Sequence, residues 1–465
     1  MTDIDTPAER TARGKGVRAE VPRSAHAGWE PPAGRADPVD LLASQDATRV
    51  PELVPLRHER MLASPFTFFR GAALLMANDL ADRPRTGLDV QLCGDAHLSN
   101  FGVYAAPDRR LIFSLNDFDE TLPGPFEWDV QRLATSFAVA GRDSGFRRKH
   151  RDRIVRTAVQ SYREAMREFA DQHVMDVWYA RLDVDEIERR HRGEASKRQR
   201  KTFDKVVSKA RTKNSLRAAD KLTHDVDGVL RFRSDPPLVV PIEELVPDRD
   251  ARDVSAAVGA ALDTYRASLP NDRQQLLGRF RYVHLARKVV GVGSVGTRAW
   301  VVLLQGRDTS DPLLLQVKEA QQSVLETALG PSSHDNHGER VVAGQRLLQA
   351  AGDILLGWTR TEGIDGTERD FYVRQLWDNK GSARIDRMDD DGMQLYARIC
   401  GWTLAHAHAR SGDPMAIAGY LGSGTSFDTA IASFAADYAD QNERDYAAVR
   451  AAVDQGRLSS EPPAA

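Results

Sequence analysis

The sequence predicts an α+β protein of two lobes, a helical one encoded first and a strand-rich one encoded later. Three observations carry that. Apolar residues recur at helical spacing through 64–81, 124–143 and 146–174. Between residues 280 and 378 the pattern changes to alternating apolar runs split by turns. Helical spacing then returns over 394–410 and 427–453. A length of 465 residues allows two or three domains or one large two-lobed fold.

Bulk numbers exclude several classes. The formal net charge is -3, so no overall field points to nucleic acid or a membrane surface. The two cysteines, Cys93 and Cys400, are too few for a disulfide framework or a cysteine zinc site and fit a reducing cytoplasm. No stretch approaches the ~20 apolar residues of a membrane helix. Residues 1–50, rich in Pro, Gly, Ala and charge, are expected to be a disordered lead-in, and 456–465 a tail. The large lobe is expected over 51–275, the small lobe over 276–380, and C-terminal helices packing on the large lobe over 381–455.

The elements follow in order. Ser64 is a plausible cap for a helix over 64–81. LDVQLCGD alternates like a strand, and FGVY and LIFSL flank APDRR, a Pro/Asp turn, making a hairpin. A buried helix follows, with Trp128, Leu133 and Phe137 on one face, then a long amphipathic helix. The basic stretch Arg189 to Arg217 is a solvated face or a docking surface for phosphate groups. Strands are predicted on both sides of GVGSVG and over PLLLQVKEA, ILLGWT and DFYVRQLW, with a helix over 336–351.

The chemistry concentrates in CGDAHLSNFGVYAAPDRRLIFSLNDFDE. A hairpin brings its own start and end together, so Asn100 and Asp117 meet at its open end with Asp95 nearby. Carboxylate and amide oxygens with room for water and phosphate suit Mg²⁺. A separate carboxylate can accept a hydroxyl proton. His97 is expected to pack rather than ligate a metal. His406 and His408, two apart on a helix, are a poor metal pair and are expected to be structural or surface residues.

GDAHLSN resembles the catalytic loop of aminoglycoside phosphotransferases and related kinase-like enzymes, and NDFDE resembles their metal-binding Asp-Phe segment. GPFEWDVQRLA resembles the segment that follows. The resemblance implies Asp95 as proton acceptor, Asn100 and Asp117 as Mg²⁺ ligands, and Asp129 as support for the loop. Cys93 stands where those enzymes carry His, and Asp119 where protein kinases carry Gly. From about Leu53 to Val453 the chain also resembles the bacterial domain-of-unknown-function family 2252.

Only about 90 residues precede Asp95, too few for a nucleotide-binding lobe. The missing parts are encoded later. Gly291, Gly293, Ser294 and Gly296 form a turn whose backbone N–H groups can approach phosphate. Lys318 lies in an apolar strand, where it needs a partner. Glu339 is the first candidate and Glu326 the second. The expected fold is therefore bilobal, protein-kinase-like and circularly permuted, with a hinge over 373–382.

The expected function is an ATP- and Mg²⁺-dependent phosphotransferase acting on an unknown small-molecule or protein hydroxyl, without membrane or nucleic-acid partners. A nucleotide-binding scaffold and a phosphoesterase built on Asp95, His97 and Asp117 are the alternatives.

Overall fold

The computed structural model describes residues 5–191, 204–205, 207–212, 215–376 and 380–458. Most of the basic stretch 189–217 and the centre of the expected hinge, 377–379, lie outside the described residues.

Residues 5–50 are not the disordered lead-in that the composition of 1–50 suggests. Helix α1 (Pro7–Val17) starts at a capping box in which Thr6 and Glu9 bond reciprocally, and Asp37 caps α2 (Pro38–Asp46). Specific contacts, rather than apolar mass, hold the segment down. Arg35 pairs with both Asp79 and Asp445 at 2.7 Å, and Arg10 with Asp413 at 2.7 Å. Trp29 and His26 are buried. Gly14 lies so close to Ala416 that a Cβ would overlap its carbonyl.

The helix expected over 64–81 is two helices. Ser64 caps α3 (Pro65–Gly71), the chain breaks at Ala72, and a second helix runs Ala73–Leu80. Gly71 abuts Met61, which leaves no room for a side chain there. Strand β1 (Asp89–Leu92) leads to the hairpin of β2 (Phe101–Ala105) and β3 (Leu111–Leu115), in the register Phe101↔Leu115. After β4 (Leu122–Pro125), which pairs with β1, come α4 (Phe126–Asp143) and α5 (Arg148–Ala170).

The strand-rich part is one six-stranded antiparallel sheet. Its strands are β8 (Val239–Pro241), β9 (Arg281–Lys288), β10 (Ala299–Gln305), β11 (Pro312–Glu319), β12 (Gly357–Glu362) and β13 (Glu368–Gln375), in the order β12-β13-β11-β10-β9-β8. The numbers β5 to β7 belong to Leu182–Asp183, which joins β3, and to the hairpin Thr223–Val226 and Val229–Phe232.

The near-continuous apolar runs of β10 and β11 have a simple cause: both faces of the sheet are covered. Successive residues point to opposite faces. Val301, Leu303 and Leu314 pack with Ala218 and Leu222 of α6 (Ser215–Leu222). Val302, Leu304, Leu313 and Leu315 pack with Tyr265 of α7 (Ala251–Ala267). Residues 215–275, expected in the large lobe, thus pack on this sheet. Helical periodicity identifies their type but not which sheet they cover.

Helix α8 (His337–Leu348) joins the two halves, since Val341, Val342 and Leu348 enter the large helical core together with Tyr372 of β13. That core is completed by α9 (Asp390–Ser411), α10 (Pro414–Leu421) and α11 (Ser426–Asp454). Helices α9 and α5 pack closely enough for Gly401 to touch the Ala158 carbonyl. Gly381–Ser382 adds a short strand to β2. Both cysteines are buried and free, and no described helix is long and apolar enough to cross a membrane.

Burial pushes the His26 imidazole, bonded to the Tyr420 hydroxyl at 2.8 Å, down to about 4. His406, bonded to the Val177 carbonyl, is held down to about 4 in the same way. Both depressed groups contribute stability above about pH 6.5, which is lost as pH falls toward about 4 because the unfolded chain takes up the protons first. Each adds at most roughly 1.4 kcal/mol per pH unit in that window. Urea midpoints of His26→Gln should therefore fall less steeply between these pH values than those of the parent protein. Parallel curves would refute the assignment.

Candidate functional site

The stretch 93–100 is shaped by three constraints. Gly94 adopts φ 86°, and a Cβ there would collide with the Glu120 carbonyl. Asp129, in the first turn of α4, accepts the Cys93 N–H at 2.8 Å and the Gly94 N–H at 3.0 Å. His408 of α9 holds that carboxylate from behind at 3.2 Å and is itself fixed by the Tyr162 hydroxyl at 2.8 Å. His406 and His408 are thus both structural, and both are buried.

Asp95 emerges from this support beside Arg132, whose Nε is 2.8 Å from Oδ1. Burial raises the Asp95 carboxyl above its ordinary value against the pull of Arg132. His97 is buried, its Nδ1 accepting the Ser99 N–H at 3.2 Å, and burial keeps it neutral. Asn100 spends its amide nitrogen on the Asp95 carbonyl at 2.8 Å. Asp117 lies across the hairpin mouth, since its neighbour Asn116 donates to the Asn100 carbonyl at 3.0 Å. The Oδ1 of Asp117 is buried with no hydrogen-bond partner. Burial, and then Asp119, raise the Asp117 carboxyl.

The expected Lys318–Glu339 pair does not form. Lys318 pairs with Asp119, whose other oxygen accepts the Tyr372 hydroxyl at 2.8 Å. Lys318 and Tyr372 are cross-strand partners on β11 and β13, so one sheet face presents both. Burial alone would lower the lysine, but Asp119 keeps it raised and charged. Burial pushes Asp119 up, yet Lys318 brings it net below the usual carboxylate range.

Glu339 sits in the first turn of α8, its N–H capped by Asn336 and its carboxylate 40% exposed. Glu326 is buried elsewhere, accepting from the Ser323 and Ser332 N–H groups. The reason is helical phase. The residue after Glu339 points about 100° away, and it is Arg340 that reaches the site. Arg340 donates to the carbonyls of Asp119, Thr121 and Gln321 at 2.7–2.8 Å. It therefore fixes the backbone of the 117–121 segment.

Asp95, His97, Asn100, Asp117 and Asp119 line a cleft of about 440 Å³ together with Gly291, Gly293 and Ser294. Gly296 closes the turn at φ 89° against the Arg49 side chain, and its carbonyl accepts the Val50 N–H at 2.8 Å. The segment before residue 50 is thus part of the cleft wall. Asp119 had a partial sequence signal in its place two residues after Asp117, and it lies in the turn that follows β3, with Phe118 buried between the two carboxylates. Arg340 and Tyr372 had none.

The family model of DUF2252, described as "Uncharacterized protein conserved in bacteria", matches residues 49–452. The chain belongs to that family. No curated protein and no solved structure matches it. The DUF2252 match begins at Arg49, the residue that packs on the glycine turn, and covers every site residue named above.

The donor set fits Mg²⁺. Asp117 offers an orphaned buried oxygen, and the Asn100 amide nitrogen is already committed, which leaves its oxygen for a ligand. Among the described residues no group of three His, Cys, Asp or Glu could hold a metal unaided.

Asp129→Ala should leave two amide donors of the 93–94 turn without partners. We expect a loss of about 2–4 kcal/mol in urea unfolding. A loss under about 0.5 kcal/mol would mean the turn does not depend on Asp129.

Proposed function

We propose that this DUF2252 chain is an ATP- and Mg²⁺-dependent phosphotransferase acting on a hydroxyl acceptor, on a bilobal, kinase-like fold of circularly permuted order. The observation that carries the reading is the shared cleft: a glycine turn encoded late lies over carboxylates encoded early. The order strand, glycine turn, strand, lysine strand, helix, two strands supports it, as kinases use a glycine-rich loop, a strand lysine and a helix in that succession. So does the grip of Asp129 on the 93–94 backbone.

The residues divide the work. Asp95, oriented by Arg132, takes the acceptor proton, and its raised affinity for protons favours that role. Asn100 and Asp117 would hold Mg²⁺, which when bound neutralises phosphate charge. The N–H groups of the 291–296 turn cover the phosphates. Lys318, kept charged by Asp119, supplies a buried cation beside them. Asp119 takes the place that a helix glutamate has in kinases, and Arg340 holds the Asp119 backbone in position. A phosphoesterase would leave Lys318 without a task; His97 spends Nδ1 on its own loop and sets Nε2 3.6 Å from Asp95 Oδ2, where it buttresses that carboxylate.

Mg·ATP should raise the melting midpoint of the wild type, by about 2.7 kcal/mol of stabilisation at a hundredfold excess over Kd. Asp117→Ala and Lys318→Ala should lose most of that shift. Asp95→Asn should keep it and lose at least about a hundredfold in label transferred from ATP to acceptors in cell extract. Absence of any wild-type shift would sink the nucleotide reading. A shift without transfer would make the chain a nucleotide-binding scaffold.

A further inference from the structure

The cations around the cleft are almost all spoken for. Lys318 pairs with Asp119, Arg132 with Asp95, and Arg340 is spent on three carbonyls. Arg49 and Arg70 line the cleft and differ from these. The Nε of each, like that of Arg340, is buried without a hydrogen-bond partner, so what sets Arg49 and Arg70 apart is that they line the cleft itself. Arg49 gives Nη1 to the Val295 carbonyl at 2.6 Å, so one arm is tied to the glycine turn. Arg70 makes no ion pair among the described residues, and the charges it faces are those of Asp95 and Asp117. Burial lowers both guanidinium groups. Arg70 is half-buried with its Nε shut off from water, and guanidinium does not escape by losing its proton near neutral pH.

Arg70 is also held in place. It lies in the last turn of α3, next to Phe69, whose carbonyl accepts Arg132 Nη2 at 2.6 Å. The same Arg132 grips Asp95, so the backbone before Arg70 and the proposed proton acceptor are tied to one side chain. From the other side, a Cβ on Gly293 would lie 3.3 Å from the Arg70 carbonyl. The glycine turn can therefore lie directly on this corner. Arg70 stands where turn and carboxylates converge.

We propose that Arg70 is an oxyanion-binding residue, which holds a phosphate group between the 291–296 turn and the Asp95 and Asp117 carboxylates. The planar fork of arginine suits two oxygens of a phosphate at once. Arg49, across the turn, adds a second positive charge to the same cleft. The group bound is either the terminal phosphate of a nucleotide or a phosphate carried by the acceptor. Only the nucleotide source rests on the phosphotransferase reading; the oxyanion site itself does not.

The test compares the wild type with Arg70→Gln and Arg70→Lys by titration calorimetry. The probes are inorganic phosphate alone, Mg·ADP, and Mg²⁺ with a non-hydrolysable ATP analogue, the last also with added phosphate. We expect the wild type to bind the analogue at least about tenfold more tightly than ADP. Arg70→Gln should abolish that ratio while holding ADP within about twofold, and Arg70→Lys should restore part of it. A ratio that survives in Arg70→Gln, with loss of phosphate binding to the analogue complex, assigns the site to the acceptor's phosphate. If the wild type binds phosphate but no nucleotide, and Arg70→Gln loses the phosphate, the oxyanion site stands and the nucleotide reading falls. If both variants bind every probe as the wild type does, the proposal falls and the nucleotide reading stands. A wild type that binds none of the probes overturns both. Should Arg70→Gln fail to fold, Arg70→Lys is read alone against the same outcomes, with about tenfold weakening as the expected result.

Discussion

The ion pair between Lys318 and Asp119 joins residues 199 positions apart and ties the six-stranded sheet to the segment after the hairpin. Neither charge tolerates burial alone, and removing one partner of such a pair leaves the other uncompensated. Tyr372 adds a hydrogen bond to the same carboxylate, so β11 and β13 both reach down to the 117–121 segment. That contact sets the spacing between the six-stranded sheet and the hairpin. The width of the cleft, and the position of the glycine turn above Asp95 and Asp117, depend on it.

A second set of contacts makes the lower wall rigid. Asp129, His408 and Tyr162 form a buried chain from three helices that ends on the backbone of the 93–94 turn. Arg132 and Arg340 then fix the two acidic segments, one through the Asp95 side chain and one through the Asp119 backbone. Helices thus supply the scaffolding, while the oxygens with chemical potential sit in loops between short strands. Rigid supports under a loop hold its side chains within a narrow range of positions.

The N-terminal segment belongs to this design. Its ion pairs fasten it to α10 and α11, and Arg49 and Val50 clasp the glycine turn. In a chain whose turn is encoded after the carboxylates, something must hold the turn to the wall. Arg49 and Val50 do so here, and Gly293 of the same turn lies against the Arg70 carbonyl.

Much of this was legible along the chain. The hairpin, the glycine turn between strands, the strand lysine and the helix after it are local patterns with fixed periods, and they form close to where those periods place them. The carboxylates and amide of 93–120 meet because a hairpin folds its ends together, a purely local consequence. What only the tertiary structure decided is pairing across distance. Helical phase turned Glu339 outward and Arg340 inward, and cross-strand register delivered Lys318 to Asp119. Composition suggested that residues 1–50 were unstructured because it counts apolar mass and cannot see individual ion pairs. Periodicity fixes what an element is; which charge it meets depends on rotations of a few tens of degrees that no local pattern encodes.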